Sequence, residues 1–195
     1  MLGKSLDVRL LGDPVLREKA AAIKLFDQEL SKFVKRMQST LLGGRVGVGL
    51  AAPQVGYALQ VVVYDTKYVD GPGYLINPEI IERHGEDIEH EACLSFPGEY
   101  FAVKRCAELT VRTRTLDGGS ITLQGDDLLA RLVQHEVEHL NGVLIVDHLE
   151  ASKRARAIEV YSRRLENLYG RDDVTSVSMS GVGELFRSGG YELRR

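Results

Sequence analysis

The feature that most constrains this chain is the hexapeptide QHEVEH at residues 134–139. Histidines four residues apart lie on one face of an α-helix, one turn apart, so His135 and His139 can reach a single metal ion. Glu136 lies between them, and in a His-Glu-x-x-His motif this glutamate is the general base rather than a ligand. A core helix that merely contains two histidines would show the same letters, so the rest of the chain has to decide.

The helix itself is predicted independently of the motif. Leucines and valines recur with a 3.6-residue period between residues 128 and 140. Asp126 or Asp127 can cap the start of this helix, and the Asn-Gly pair at 141–142 ends it. The metal-binding motif is therefore expected in the second half of an amphipathic helix.

Helices and strands are also predicted on both sides of this motif. One helix follows Asp27 and ends at the glycines 43–44, and another covers 151–169. Runs that are rich in β-branched residues or alternate in polarity predict strands at 59–64, 74–82, 107–115 and 121–123. From residue 170 to residue 195, Gly, Ser and charged residues dominate, so a polar and flexible tail is expected there.

Composition excludes several classes of protein. A chain of 195 residues with 44% hydrophobic and 27% charged residues is typical of one soluble globular domain. The net charge of −3 argues against a basic nucleic-acid binder, so no specific DNA partner is expected. Two cysteines do not form a disulfide framework, and no apolar run reaches the roughly 20 residues of a membrane span. Since a signal peptide is also missing, we expect a cytoplasmic protein without a membrane partner.

A catalytic zinc-type site needs a third protein ligand and one open position. The candidates are Cys93, Cys106, His84, His90, His148 and the acidic residues. Cys93 is favoured because it lies in a loop-like stretch, whereas Cys106 adjoins a strand pattern and is typical of a small buried hydrophobe. The two histidines that flank the charged stretch before Cys93 are typical of a surface. These arguments favour Cys93 without excluding the others.

Three motifs, taken in order, resemble those of the peptide deformylases. They are GVGLAAPQ at 47–54, EACLS at 91–95 and QHEVEH at 134–139. GDPVLR at 12–17 and LNG at 140–142 also match, so the resemblance covers about residues 5 to 150.

The resemblance implies an α+β fold, with antiparallel β-strands packed around a central metal-binding helix. An N-terminal helix and a C-terminal helix at 151–169 complete this fold. Residues 1–169 would then form a single catalytic domain, and 170–195 would be the tail.

The resemblance also implies an activity, namely hydrolysis of the formyl amide on the N-terminal N-formylmethionine of new polypeptides. Cys93, His135 and His139 would hold one divalent metal ion, which would be Fe²⁺ in cells and could be Zn²⁺ or Ni²⁺ after purification. Glu136 would act as general base and then as general acid for the attacking water.

Further residues are given roles by the same resemblance. The oxyanion would accept hydrogen bonds from the Gln54 side chain and from the Leu94 backbone N–H. Backbone groups of residues 47–49 would pair with an extended substrate peptide. The side chains expected near the methionine pocket are Val48, Leu128 and Leu132, and Gly49 belongs to the paired backbone.

Ala92 departs from the family pattern, which has glycine before the ligand cysteine. The departure concerns how closely a substrate backbone can approach at Ala92, and it removes neither a ligand nor the base.

Two other functions compete with an active deformylase. The first is a catalytically weak relative that binds ribosomes or nascent chains through the basic helix at 151–169. The second is a general metalloprotease, which usually takes its third ligand from Glu or His. Glu136 and Gln54 argue against the first, because a structural metal site needs neither, and the Cys93 motif argues against the second.

Overall fold

The structure is a computed structural model that describes residues 5–44 and 46–190. Nine β-strands and four α-helices occur in this part of the chain. In chain order they are β1 Val8–Arg9, α1 Gln28–Gly44, β2 Gly49–Ala51, β3 Val61–Tyr64, β4 Tyr74–His84, β5 Asp87–Cys93, β6 Phe96–Arg105, β7 Glu108–Arg114, β8 Ser120–Asp126, α2 Asp127–Leu140, α3 Ala151–Tyr169, β9 Ser176–Val177 and α4 Met179–Ser188.

An antiparallel sheet with the strand order β2-β3-β4-β7-β8 forms the centre of the fold. The register of β4 on β7 shifts between Ile76 and Glu79, on either side of Pro78. Because proline cannot donate a ladder hydrogen bond, a bulge or an edge is expected there, and the structure has the irregular register. Strands β5 and β6 form a separate two-stranded hairpin, and β1 pairs with β9.

Helix α2 packs its apolar face against the central sheet. Its Leu132 and Val133 belong to one buried cluster with Val62 of β3 and Val111 of β7, which we term the sheet cluster. Asp126 occupies the N-cap position, although its side chain makes no capping hydrogen bond. The predicted α+β architecture, with antiparallel strands around the motif-bearing helix, is confirmed.

The helices on either side of this core bury the apolar faces that their periodicity predicts. Helix α1 buries Leu30, Val34 and Met37, and helix α3 buries Tyr161 and Leu165. A fully buried side chain of this kind contributes roughly 1.5–3 kcal/mol to the free energy of folding. No helix in the described ranges has both the length and the apolar character needed to cross a lipid bilayer.

The segment after α3 differs from the flexible tail that its composition suggested. It forms β9 and α4, and α4 buries Val182, Leu185 and Phe186. The hydroxyl of Ser178 caps this helix by accepting a hydrogen bond from Gly181 N–H at 3.3 Å. Composition was misleading because a few apolar residues at helical spacing are enough to form a buried face among glycines and serines. Residues 191–195 of the expected tail lie outside the described residues.

Candidate metal centre

Three side chains that can bind a metal meet between helix α2 and the end of strand β5. His135 and His139 lie one turn apart on α2, and Cys93 is the last residue of β5. The Sγ of Cys93 lies 3.2 Å from Nε2 of His139, and the possible ligand atoms of all three residues lie within 4.8 Å of one another. We term these three residues the metal triad.

The other candidates for a third ligand lie elsewhere. Cys106 is partly buried against the sheet cluster. His84 and His90 are exposed, as their charged surroundings suggested. Nε2 of His148 lies 2.9 Å from a carboxylate oxygen of Glu138. Within the described ranges, the structure therefore groups only Cys93 with the two motif histidines.

Cys93 ends a strand and does not lie in a loop, which corrects the interpretation of this stretch. Strand β5 pairs with β6 up to Cys93 and Phe96, so Leu94 and Ser95 form the turn of a hairpin. The strand escaped detection because most of its residues are charged or polar and show no apolar alternation. As a result, the backbone of this candidate ligand is held by strand pairing.

The metal triad fits a single tetrahedral ion. Zinc-like ions bind thiolate and imidazole at about 2.0–2.3 Å, which places the ligand atoms roughly 3.5 Å apart. One sulfur and two imidazole nitrogens also leave a fourth position for water or substrate. Two buried atoms of the same helix, Oε2 of Glu136 and Nδ1 of His139, have no hydrogen-bond partner within the described residues. Unpaired buried polar atoms indicate a place for water or an ion.

A buried carboxylate fixes the ring of His135. Oε2 of Glu91 lies 2.9 Å from Nδ1 of His135, which leaves Nε2 as the ring nitrogen for a metal. The same carboxylate accepts hydrogen bonds from Arg105 Nε at 2.8 Å and from Arg131 Nη1 at 2.7 Å. We term Glu91, Arg105, Arg131 and His135 the Glu91 network. In the sequence, Glu91 is visible only as the first residue of the motif at 91–95, and no spacing rule indicates its partners.

Charge compensation keeps Glu91 ionised although it is only 7% exposed. Burial raises the pKa of this carboxyl, but hydrogen bonds from Arg105 and His135 outweigh burial and hold the pKa well below its usual range. Breaking a buried ion pair by removing one partner costs about 3–5 kcal/mol, since the other charge stays buried. The Glu91 network therefore holds the His135 ring rigidly.

Glu136 lies in a space that only a glycine leaves open. Its side chain is 4% exposed, and burial raises the pKa of its carboxyl to about 7. A Cβ atom at position 49 would lie 2.5 Å from Oε1 of Glu136, so Gly49 lets the backbone of β2 pass against the carboxylate. A carboxyl with this pKa can take up and return a proton near neutral pH.

Gln54 directs its amide group toward the metal triad. Its Oε1 accepts a hydrogen bond from Ala51 N–H at 2.8 Å, so the amide nitrogen faces Ser95 Oγ at 3.3 Å and Cys93 Sγ at 3.7 Å. Leu94, which lies between Cys93 and Ser95 in the sequence, is 5% exposed. The roles of Gln54 and of the Leu94 N–H in binding an oxyanion stay predictions.

The residues expected to bind substrate have varied surroundings. Val48 packs against the sheet cluster, which contains Leu132, whereas Leu128 is 40% exposed at the start of α2. Gly49 begins β2, one of the two edge strands of the central sheet, and an edge strand can pair with an extended peptide. Ala92 does not adopt a positive φ, which removes backbone strain as an explanation for its difference from glycine.

Comparison with known proteins gives consistent results. A sequence model of the family described as Polypeptide deformylase matches residues 5–155. The peptide deformylase of Dictyoglomus thermophilum is 45% identical over 141 residues, covering 72% of this chain and 90% of the relative. The crystal structure of a peptide deformylase from Legionella pneumophila superposes with a TM-score of 0.79 at 36% identity, over 86% of this chain and 99% of that one. The Synechococcus elongatus enzyme in complex with actinonin gives 0.75 at 39% identity, over 82% and 89%.

Proposed function

We propose that this chain, which belongs to the peptide deformylase family, is a metal-dependent hydrolase. It removes the formyl group from the N-terminal N-formylmethionine of newly synthesised polypeptides. One observation carries this proposal: three side chains that can bind a metal, a buried carboxyl and a fixed amide converge on one place in the fold. A metal site with a purely structural role would need neither the carboxyl nor the amide.

The proposed roles follow from the chemistry of each residue. Cys93, His135 and His139 would hold one divalent ion, which when bound polarises the formyl carbonyl and lowers the pKa of water toward about 7. Glu136 takes a proton from the attacking water and returns it to the leaving amine, a transfer worth about 10²–10⁴-fold in rate. Its unpaired Oε2 and its pKa of about 7 suit both steps.

The oxyanion that develops during attack needs fixed donors. The amide of Gln54 is already oriented by Ala51 N–H, so it would meet the oxyanion without reorganisation. The N–H of Leu94, in the turn of the hairpin, is the second proposed donor. Losing one such donor typically reduces turnover by about 10²–10³-fold.

The substrate is proposed to bind as an extended peptide along the edge strand β2, next to Val48 and Gly49. Leu128 and Leu132 would contact the methionine side chain, and Ala92 would face the peptide from the neighbouring hairpin. The exposed fraction of 40% at Leu128 leaves an apolar surface available for this contact.

The proposal is tested by measuring the formate and the free α-amine released from a short formyl-methionyl peptide, with amine release from the acetylated peptide as control. We expect hydrolysis of the formyl peptide only, because the acetyl methyl group adds bulk at the reacting carbon. Equal hydrolysis of both peptides, or of an internal peptide bond, would instead indicate a general metalloprotease.

Fe²⁺ is proposed as the ion in cells, with Zn²⁺ or Ni²⁺ possible after purification. A set of one thiolate and two imidazoles accepts all three, so availability decides the occupant. Measuring metal content and activity of protein purified without air tests this identity. Zinc with full activity in such a preparation would contradict it.

A cytoplasmic location and a contact with ribosomes are further proposals, and the contact would use helix α3. Arg154 and Arg164 of this helix donate hydrogen bonds to backbone carbonyls of the same chain, whereas Lys153, Arg156 and Arg163 are exposed. Co-sedimentation of ribosomes with Lys153→Glu/Arg156→Glu tests the contact, and unchanged binding would reject it. A catalytically weak ribosome binder would keep this contact but fail the formate assay.

A further inference from the structure

Strand β9 and helix α4, which we term the C-terminal unit, lie outside residues 5–155, the part matched by the family. The unit nevertheless attaches firmly to the domain. Val177 of β9 pairs with Val8 of β1, and Leu10 N–H donates to Thr175 O at 2.7 Å.

Helix α4 packs on the part of the fold that contains the ligand cysteine. Val182 and Phe186 belong to a buried cluster that includes Leu94, and Ala92 packs against it. Leu185 belongs to a different cluster that includes Cys93. The apolar face of α4 thus covers the end of the β5–β6 hairpin.

The backbone directly after the hairpin turn is also in close contact with α4. A Cβ atom at Gly98 would lie 2.8 Å from Leu185 O, and a Cβ atom at Gly189 would lie 2.5 Å from Gly98 O. On the side of α3, Arg164 donates from Nη1 to Pro97 O at 3.1 Å and from Nη2 to Glu99 Oε1 at 2.6 Å. These contacts leave the start of β6 little freedom to move.

The hairpin requires such support. Strands β5 and β6 form a sheet of only two strands, and an isolated two-stranded hairpin is marginally stable in water. The histidines of the metal triad sit on a helix packed against a five-stranded sheet, but Cys93 sits at the end of this hairpin.

We propose that Phe186 is a positioning residue, which acts through α4 to fix the turn at 93–95 and thereby the Cys93 thiolate and the Leu94 N–H. Its ring is 3% exposed and meets the ring of Tyr100 on β6 edge-on, with centroids 6.3 Å apart. Only the kinetic consequence rests on the proposed function, because the position of the thiolate can be measured without substrate.

The experiment compares full-length Phe186→Ala and the milder Phe186→Leu with Leu75→Ala, which truncates a fully buried leucine of the sheet cluster. Each protein is loaded with Co²⁺, and three properties are measured: the sulfur-to-cobalt absorption band, the Kd for Co²⁺ in competition with a chelator, and the melting temperature. For Phe186→Ala we expect a shifted, weaker band and a Kd raised about tenfold, as for other changes behind metal ligands. Phe186→Leu should show the same changes at smaller size.

Kinetics on a formyl peptide form the second part of the test. Misplacement of the turn should lower kcat about tenfold and leave KM nearly unchanged. The reason is that the Leu94 N–H, and the metal that Cys93 would hold, both act on the reacting carbonyl. Leu75→Ala should lower the melting temperature comparably and leave the band, the Kd and kcat unchanged.

If Phe186→Ala fails to fold, Phe186→Leu decides. Phe186 variants that lose stability but keep the wild-type band and Kd would overturn the proposal. If the wild type does not deformylate the peptide, only the proposed function is refuted. The cobalt measurements would still decide whether Phe186 is a positioning residue.

Discussion

The two histidines of the metal triad are equivalent in the sequence but differ in their surroundings. His135 has a carboxylate on Nδ1, and two arginines balance that carboxylate. His139 is 1% exposed, and its Nδ1 has no partner within the described residues. Nδ1 of His135 thus faces a charged, hydrogen-bonded network, and Nδ1 of His139 faces no such partner among the described residues.

The difference is reflected in the protonation of the two rings. Burial lowers the pKa of His135, but hydrogen bonds with Cys93 and Glu91 outweigh it and raise the pKa well above its ordinary value. Burial and the nearby charge of His135 lower the pKa of His139 well below that value. A metal needs neutral imidazoles, so the lowered pKa of His139 favours binding, whereas the raised pKa of His135 opposes it. The Glu91 network then holds the ring of His135 and increases its basicity as a ligand.

Removal of a proposed metal ligand should have the largest effect, and in this respect the two histidines should behave alike. His135→Ala and His139→Ala each remove a proposed ligand, as does Cys93→Ala. Metal affinity should fall by more than the roughly 10–100-fold cost of changes behind the ligands, and metal content should drop to well below a tenth of wild type. Elemental analysis alongside circular dichroism measures this in folded protein. Full occupancy and activity in any of the three would remove that residue from the site.

Glu136→Gln should have the second largest effect. Glu136 lies between the two histidines in sequence and is proposed to act as the base without binding the metal. We expect the metal to be retained and turnover to fall by at least about 10²-fold, since the substitution removes the base. Steady-state kinetics normalised to bound metal measure the effect. Turnover within a few-fold of wild type would show that another group is the base.

Glu91→Gln tests the asymmetry itself. It removes the negative charge behind His135 and leaves Arg105 and Arg131 with only their second partners, Glu138 and Asp87. Metal affinity and kcat should therefore each fall about 10–100-fold. The matched control is Glu79→Gln, which breaks the exposed pair between Glu79 and Arg112 and should change neither property. If both variants behave alike, the Glu91 network has no influence on the metal.

Ala92→Gly should have the smallest effect, because Ala92 lies next to Glu91 on β5 and belongs neither to the Glu91 network nor to the metal triad. Since φ at Ala92 is not positive, no strain is relieved, and the remaining explanation is crowding of the substrate by the methyl group. KM should fall modestly, and the melting temperature should stay equal or drop slightly, because glycine costs about 0.5–1 kcal/mol of unfolded-state entropy. A stability gain with unchanged KM would contradict this explanation.

Sequence reasoning was most successful where contacts are local. The face shared by His135 and His139, and the buried faces of α1 and α3, follow from helical periodicity alone. The Glu91 network could not be predicted in this way, because the hydrogen bond from Arg131 to Glu91 joins residues 40 positions apart. Neither residue indicates its partner by composition or spacing.

Strands β1, β2, β5, β6 and β9 and helix α4 were not predicted. For β5 and α4 the physical reason is clear. Strand β5 is mostly polar because it belongs to a thin hairpin rather than to a sheet buried on one face. Helix α4 is rich in glycine and serine, and its stability comes from tertiary packing of Val182, Leu185 and Phe186 rather than from helix propensity.

The pairing of β1 with β9 has a consequence for the timing of biosynthesis. Val8 is translated long before Val177, so this ladder cannot close until Val177 has left the ribosome. Contacts between residues so distant in sequence also form slowly, because a long loop must close first. An enzyme proposed to trim polypeptides as they emerge would thus close this ladder only after all three residues of its own metal triad have been made.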